Sequence, residues 1–300
     1  MNDYLSVSPE VRDAVRHGEP VVALESTIIS HGFPYPANLE CALESERCAR
    51  EEGAIPATIA VLDGRLCVGL SRDQLERLAT TRGIAKASRR DLGILVARGI
   101  DGATTVAGTM AIAAMAGIRV FATGGIGGAH RGAQESFDVS ADLLELARTD
   151  VAVVCAGAKS ILDLPLTLEV LETHGVPVIG LRTDEFPAFY SRTSGLPVDV
   201  RCESPEDVAD ILRVRRELRI AGGVIVANPI AAEHELANAL LAEWTDTALA
   251  EARAGGVHGK AVTPFLLARL HALSGGATEE ANKQLVWSNV REASRIAAAL

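Results

Sequence analysis

FATGGIGGAHRGAQESFDVSADLLELARTDVAVVCAGAKS, residues 121–160, joins two apolar runs through a glycine-rich loop and an amphipathic segment. Four glycines between residues 124 and 128 follow the first apolar run, so the backbone can pass close to a ligand there. Ser140 begins the pattern S-A-D-L-L-E-L-A, which is typical of a helix whose first amides can bind an anion. The segment therefore predicts a strand, a helix and a second strand arranged around a ligand site.

Lys159 follows the apolar run VAVVCAG, where we expect a strand to end. A lysine set among small apolar side chains loses hydration, which favours the neutral amine that attacks a carbon atom. The alternative for Lys159 is a solvated surface lysine. Cys155 lies inside the same run, so we expect it to be buried rather than catalytic.

Two common glycine-rich motifs do not fit this loop. A dinucleotide fingerprint that begins at Gly125 requires glycine where the chain has His130. A phosphate loop that begins at Gly127 requires Lys and then Ser or Thr where the chain has Ala133 and Gln134. A glycine turn that only lets two elements pack remains the alternative to a ligand site.

Apolar β-branched runs alternate with helical patterns along the chain. We expect strands at 21–27, 57–62, 65–70, 118–123, 151–156, 176–181 and 222–227. We expect helices at 37–52, from Ser71 onward, and at 102–117, 140–149, 165–174 and 204–220. Asp63-Gly64 predicts a hairpin, and Gln74 completes a capping box with Ser71.

This alternation predicts an α/β fold: a mostly parallel mixed sheet with helices on both faces, an α/β/α sandwich. We expect one domain that spans residues 1–300, because no linker or repeat interrupts the pattern. The helix-rich stretch from about residue 231 is expected to cap the site or to contact another subunit.

Composition narrows the class of protein. Hydrophobic residues make up 48% of the chain and aromatic residues only 4%, which suits strands covered on both faces. A net charge of −10 argues against a nucleic acid polymer as partner. Five cysteines without a C-x-x-C pair are expected to be buried thiols in a reducing compartment. Without a signal peptide pattern or a long apolar run, we expect a soluble, cytoplasmic protein that does not bind a membrane.

Polar side chains follow four of the expected strands. Glu25 follows VVAL, Thr123 follows IRVFA, Lys159 follows VAVVCAG and Asn228 follows VIVA. Ligands in such sheets bind beyond the carboxyl ends of the strands. The sequence therefore predicts an active site at this edge of the sheet.

Collinear motifs give the chain a family resemblance. They are VVALESTIISHGFPYPANLE (21–40), GAIPATIAVLDGRLCVGL (53–70), KASRRDL (86–92), GATTVAGTM (102–110), the 121–160 segment, 161–195, GGVIVANPI (222–230), GKAVTPFLLARL (259–270) and the region of Asn282. On these residues the chain resembles the pseudouridine-5'-phosphate glycosidases, the indigoidine synthase A-like family, over nearly its whole length.

The resemblance implies reversible cleavage of the carbon–carbon glycosidic bond of pseudouridine 5'-phosphate to uracil and ribose 5-phosphate. A carbon leaving group departs poorly, and a covalent lysine adduct divides this difficult step into easier ones. Lys159 matches the family's nucleophile. Glu25, in ALEST, matches the residue that transfers protons. From sequence alone, a solvated glutamate at a strand end or a helix-cap partner is the alternative.

The resemblance also implies the residues that bind substrate and metal. It assigns substrate contacts to Lys86, to the backbone of Val106 and to Ser140, Ala141 and Asp142. Thr123 and His130 are expected near the phosphate or the metal, and Asn282 at the uracil edge. Asp138 matches the family's ligand for a divalent cation, Mn²⁺ or a substitute. A homotrimer is implied as well.

Several of these residues have other interpretations from sequence alone. KASRRD can be a solvated charged surface, and Arg89 or Arg90 can pair with Asp91 instead of a phosphate. Asp138 and Asp142 can simply favour a helix N-terminus electrostatically. The roles of Thr104 and Thr105, and the direction of the reaction in the cell, stay open.

Two other functions remain as alternatives. One is a different Schiff-base lyase on a phosphosugar, which shares Lys159 but uses another second substrate. The other is a non-catalytic regulator that binds a phosphosugar.

Overall fold

The structure is a computed structural model that describes residues 3–257 and 262–300, so residues 259–261 of the 259–270 motif lie outside it. The strands are β1 (Leu5–Val7), β2 (Val21–Leu24), β3 (Ile55–Leu62), β4 (Arg65–Val68), β5 (Ala85–Ala87), β6 (Gly102–Thr104), β7 (Val120–Ala122), β8 (Ala129–His130), β9 (Ala152–Cys155), β10 (Leu162–Asp163), β11 (Val178–Leu181), β12 (Val200–Cys202) and β13 (Val224–Ala227). The helices are α1 (Pro9–His17), α2 (Thr27–His31), α3 (Ala37–Glu51), α4 (Arg72–Thr80), α5 (Leu92–Arg98), α6 (Val106–Met115), α7 (Ala133–Ser136), α8 (Ala141–Arg148), α9 (Leu164–Thr173), α10 (Pro205–Glu217), α11 (Asn238–Ala254), α12 (Val262–Leu273) and α13 (Ala277–Ala299). Short 3₁₀ turns lie at Arg89–Asp91 and Ala232–His234.

Within the described part of the chain, one mixed sheet of eleven strands forms the framework. Its main path runs β1-β4-β3-β2-β7-β9-β13-β11-β12, with β6 paired to β3 and β5 paired to β6. The central pairs from β3 through β2, β7, β9 and β13 are parallel, whereas β3–β4 and β3–β6 are antiparallel. Parallel pairing puts the carboxyl ends of β2, β7 and β9 side by side, which is the geometry the sequence predicts.

Both faces of the sheet are buried. Ala23 and Phe121 belong to a core cluster that includes residues of α1, α6 and α8. Their chain neighbours Val22 and Val120 belong to a second cluster with residues of α3, α10 and α13. Successive side chains of a strand point to opposite faces, so helices cover both sides of the sheet. The predicted α/β/α layering is confirmed.

Local sequence signals explain several elements. Asp63 and Gly64 both adopt positive φ between β3 and β4, where Leu62 pairs with Arg65, so the predicted hairpin is confirmed. Ser71 and Gln74 form the predicted capping box of α4. The five cysteines are buried free thiols, and burial raises the pKa of Cys155 to about 12.

Several expected bounds of elements were wrong. The helix expected at 102–117 begins only at Val106, because residues 102–104 form β6 against β3 and β5. The strand expected at 21–27 ends at Leu24, and it is not the first strand, since β1 precedes it. The strand expected at 65–70 ends at Val68.

The helix-rich C-terminal part forms one of the layers. The last helix, α13, packs against α3, α10 and the strands β7, β9 and β2. Among the described residues, no helix combines the length and apolarity that crossing a membrane requires.

Candidate active site

Two adjoining cavities lie beyond the carboxyl ends of β2, β7 and β9. The larger has a volume of about 410 Å³ and a wall rich in charged and polar side chains. The smaller has a volume of about 60 Å³ and includes Ile28, Phe189 and Leu267 in its wall. Glu25 and Lys159 border both cavities, as do Thr27 and Lys86. The shared residues define the junction of a polar and a more apolar compartment.

The structure brings all of the predicted site residues to these two cavities. The larger cavity is bordered by Glu25, Lys86, Val106, His130, Asp138, Ser140, Ala141, Asp142 and Lys159. The smaller one is bordered by Glu25, Lys86, Thr123, Lys159 and Asn282. Their placement agrees with the predicted edge of the sheet, whereas their individual roles stay predictions.

Lys159 is held by the backbone of two loops that run side by side. Its N–H donates to the carbonyl of Ile126 at 3.1 Å, and the N–H of Ile126 donates to the carbonyl of Gly157 at 3.1 Å. Gly157 has a φ of +84°, and a Cβ there would lie 2.0 Å from the carbonyl oxygen of Pro187. Only glycine fits this turn, which presents the half-buried Lys159 side chain to both cavities.

Glu25 is half-buried and borders the same two cavities as Lys159. Burial raises its pKa above the usual range for glutamate, while the Lys159 charge and a hydrogen bond donated by the Thr123 hydroxyl lower it. The Asp142 charge raises the pKa further, and the Lys86 charge opposes that. Since burial is the largest effect, the protonated form of Glu25 persists to higher pH than in an exposed glutamate.

Hydroxyl groups behind Glu25 fix the turn that carries it. The Ser26 hydroxyl donates to the Ile59 carbonyl of β3 at 2.7 Å. The Thr27 hydroxyl donates to the Thr104 carbonyl of β6 at 2.7 Å. Thr104 is fully buried in this network, whereas Thr105 caps α6 and borders the larger cavity. Thr104 therefore has a structural role, which the sequence left open.

Asp142 is occupied by the protein's own backbone. Its Oδ1 accepts the Ala107 N–H at 2.9 Å and its Oδ2 accepts the Gly127 N–H at 2.8 Å. The carboxylate thus ties the start of α6 to the glycine-rich loop, and the side chain is 5% exposed. Ser140 caps α8 by accepting the Asp142 N–H at 3.3 Å. Asp142 shapes the larger cavity by positioning its wall.

The three cations of KASRRD differ in their surroundings. Lys86 lies on β5 and borders both cavities. Arg89 pairs with Glu145, a carboxylate that is only 2% exposed on α8. Arg90 borders the larger cavity and lies 3.9 Å from Asp91, with a side chain that is 75% exposed. The sequence could not distinguish the two arginines, and the structure favours Arg90 over Arg89 as an anion contact.

His130 and Asp138 lie together on the wall of the larger cavity. The His130 N–H donates to the Asp138 carbonyl at 2.9 Å. Burial lowers the pKa of His130, the Asp138 charge raises it, and the Lys86 and Lys159 charges lower it. Across residues 3–257 and 262–300 no group of three or more His, Cys, Asp or Glu side chains is arranged to hold a metal. One carboxylate, from Asp138, together with water or substrate oxygens is a donor set that suits Mn²⁺ or Mg²⁺.

Asn228 does not border either cavity, contrary to its expected place at this edge. Its amide donates to Asn289 Oδ1 at 2.9 Å, and Asn289 donates to the carbonyl of Thr123 at 2.8 Å. Asn228 and Asn289 thereby connect β13, α13 and the turn that follows β7. The strand-end pattern identified the right edge, but it could not show that this amide points to α13.

Sequence reasoning missed several cavity residues, including three in α2 and the glycine that follows this helix. Thr27, Ile28, His31 and Gly32 all border the smaller cavity. Residues 27 and 31 are four apart on a helix, so their side chains lie on the same face. The turn that carries Glu25 precedes this helix, and the four-residue spacing is the sequence signal that could have identified these residues. Phe189 gave none, because its positive φ and its contact with Gly125 depend on tertiary structure.

Comparison with known proteins shows the family of the chain. A family model described as indigoidine synthase A like protein matches residues 10–299, and the chain belongs to this family. The pseudouridine-5'-phosphate glycosidase of Hahella chejuensis is 56% identical over 299 residues, which cover 99% of each chain. The one of Deinococcus radiodurans is 56% identical over 298 residues, which cover 99% of this chain and 95% of the other.

Two solved structures share the fold. The prealnumycin C-glycosynthase AlnA in complex with ribulose 5-phosphate is 42% identical, with a TM-score of 0.93 and coverage of 100% of this chain and 98% of AlnA. An indigoidine synthase A-like protein from Thermotoga maritima is 36% identical, with a TM-score of 0.90 and coverage of 99% and 97%. The predicted family, fold class and enzymatic nature are confirmed.

Proposed function

We propose that this protein is a pseudouridine-5'-phosphate glycosidase that interconverts pseudouridine 5'-phosphate and water with uracil and ribose 5-phosphate. The observation that carries the proposal is the position of Lys159 and Glu25 at the junction of the two cavities. A bond between a phosphosugar in the polar cavity and a base in the smaller one would lie beside both side chains. The shared name of relatives that are 52–56% identical supports the same activity.

The chemistry follows from a lysine amino group and a carboxyl group that border the same two cavities. Lys159 Nζ attacks C1' of the ribose, the C1'–O4' bond breaks, and Glu25 supplies the proton that O4' takes. The proton that Nζ loses returns to the Glu25 carboxylate, which then protonates C5 of the base with the electrons of the C5–C6 double bond. The nitrogen lone pair forms a C1'=N bond while C1'–C5 breaks, and the released pair restores the C5–C6 double bond. Water hydrolyses the imine, which releases ribose 5-phosphate and regenerates Lys159.

The larger cavity suits the phosphosugar. Lys86 and Arg90 provide positive charge at its wall, and the start of α8 at Ser140 and Ala141 presents backbone amides to an anion. Because Asp142 is hydrogen-bonded to the protein backbone, we propose that it positions the Gly127 loop instead of contacting the phosphate through its carboxylate.

We also propose that Asp138 binds a divalent cation. Mn²⁺ bound there would supply positive charge for phosphate or sugar oxygens. His130, next to Asp138 on the same wall, would orient the water or substrate oxygens that complete the shell. The test is a titration of activity with Mn²⁺ after chelation.

The direct test uses the synthetic direction. Purified protein incubated with Mn²⁺, ribose 5-phosphate and uracil should form the C-nucleotide. Lys159→Ala should abolish this product, and Glu25→Gln should lower kcat by about 10²–10⁴-fold. Lys283→Ala is the matched control, because Lys283 pairs with Glu279 at 2.7 Å and borders neither cavity. No product from the wild-type protein in either direction would refute the assignment.

One other function has an observation in its favour. AlnA, which shares the fold, has a structure with ribulose 5-phosphate, so this chain could join a phosphosugar to a base other than uracil. With this alternative function, this chain would still form a lysine adduct with ribose 5-phosphate, but uracil would not react. Competing ring compounds in the synthesis assay distinguish the two functions.

We also propose that residues 1–300 act as one domain in a cytoplasmic homotrimer. The family match over residues 10–299 and the packing of α13 on β2 and β7 support the single domain. Light scattering at micromolar concentration tests the trimer, and a monomeric mass would contradict it.

A further inference from the structure

His31, at the end of α2, is a residue of the smaller cavity that has no part in the chemistry above. Its Nε2 atom is buried and has no hydrogen-bond partner among the described residues. Buried polar atoms without a partner are rare in folded proteins and indicate a missing water or ligand. The cavity volume of about 60 Å³ exceeds the about 10–15 Å³ that one water needs. A ligand group therefore has room beside this ring.

The other side of the His31 ring interacts with the backbone carbonyl of Ile84, which favours a proton on Nδ1 and leaves the unpartnered Nε2 as an acceptor. Burial lowers the pKa of His31, and the Lys86 charge lowers it further. The lowered pKa favours the neutral imidazole, in which Nε2 offers a lone pair that needs an N–H donor.

We propose that His31 is a specificity-determining residue for the base and that its Nε2 accepts a hydrogen bond from a ring N–H. This inference rests on the proposed function. The N1–H and N3–H donors of the base are both free in pseudouridine because its sugar is attached at C5. Asn282 borders the same cavity and offers a donor and an acceptor for the neighbouring carbonyl and N–H groups. Phe189 and Leu267 provide apolar contacts for the ring.

Two His31 variants separate hydrogen bonding from packing. His31→Leu fills similar space without an acceptor, whereas His31→Gln keeps an acceptor oxygen. In the synthesis assay we expect His31→Leu to raise the KM for uracil by about 5- to 50-fold and His31→Gln to raise it less. The KM for ribose 5-phosphate should stay within about twofold in both, because the phosphosugar occupies the larger cavity.

Methylated bases test the same contact from the side of the substrate. We expect 1-methyluracil or 3-methyluracil to be a poorer substrate than uracil for the wild-type protein. The difference from uracil should be smaller for His31→Leu. The inference is overturned if wild-type protein accepts both as well as uracil. It is also overturned if His31→Leu leaves the uracil KM unchanged, or raises both KM values together with a loss of thermal stability.

If no C-nucleotide forms, or if His31→Leu does not fold, a measurement of uracil binding tests the inference. Failure of the wild-type protein to form product refutes the proposed function, whereas the ¹⁵N resonance of His31 Nε2 reports the contact alone. In protein with ¹⁵N-labelled histidine, the Nε2 resonance of His31 is identified as the one that the His31→Gln spectrum lacks. Added uracil should shift this resonance. A resonance that does not move at saturating uracil would overturn the inference.

Discussion

Gly127→Ala tests whether the glycine-rich loop is held against α8 as the structure indicates. A Cβ at residue 127 would lie 2.3 Å from Ser140 Oγ and 2.7 Å from Asp142 Oδ2. Both distances are far below van der Waals contact, so the loop or the start of α8 has to move. The variant then weakens the bond from the Gly127 N–H to Asp142, now 2.8 Å long, and displaces the Ser140 cap.

The cost of Gly127→Ala can be worked out from these contacts. A hydrogen bond to a charged group contributes about 1.5–3 kcal/mol, and a helix cap about 1 kcal/mol. We therefore expect the free energy of unfolding to fall by about 2.5–4 kcal/mol. A shift near 1 Å in a wall of the site costs activity on the order of 10²-fold.

Urea denaturation and kcat/KM in the synthesis assay measure both effects. Gly93→Ala is the matched control, because nothing lies within 4 Å of a Cβ at this helical position in α5. We expect it to leave activity unchanged and to alter stability by less than about 1 kcal/mol, in the stabilising direction. A Gly127→Ala protein with wild-type stability and activity would refute the packing argument.

Three further predictions concern single side chains. Thr123→Val removes a hydrogen bond that lowers the pKa of Glu25, so the alkaline limb that Glu25 gives to the kcat/KM profile should move to higher pH; a limb that moves lower contradicts this. Arg90→Ala should raise the KM for ribose 5-phosphate about 3- to 30-fold. Arg89→Ala removes the ion-pair partner of the buried Glu145, so it should mainly lower the Tm. Equal effects of the two variants on this KM in steady-state kinetics would be inconsistent with the prediction. Asp138→Asn should raise the Mn²⁺ concentration for half-maximal activity about tenfold or more, and an unchanged titration would remove Asp138 as the ligand.

Local signals in the sequence predicted the elements that depend on neighbouring residues. Asp63-Gly64 gave the hairpin and Ser71 gave the helix start, because turn and cap chemistry act within a few residues. Residues 102–104 were expected to be helical because small residues fit either structure. The pairing with β3 that makes them a strand is set by Ala60 and Val61, which are far away in the sequence. Tertiary contacts decided that segment.

The position of the site was predictable from the sequence, but its internal arrangement was not. Strand ends located Glu25 and Lys159, because parallel strands bring their carboxyl ends to one edge. The division into two cavities was not visible, since it depends on how α2, α12 and α13 pack over that edge. The sequence also could not show that the Asp142 carboxylate binds backbone amides, which depends on how the loop and α6 meet.

The central claim is that Lys159 forms the covalent bond to the sugar. Borohydride reduction of the protein with ribose 5-phosphate, followed by peptide mass spectrometry, measures this most directly. We predict that the reduced sugar phosphate is attached to Lys159 alone, and that Lys159→Ala traps none. An adduct on another lysine, or Lys159→Ala protein that turns over at a rate near that of the wild type, would contradict the covalent mechanism.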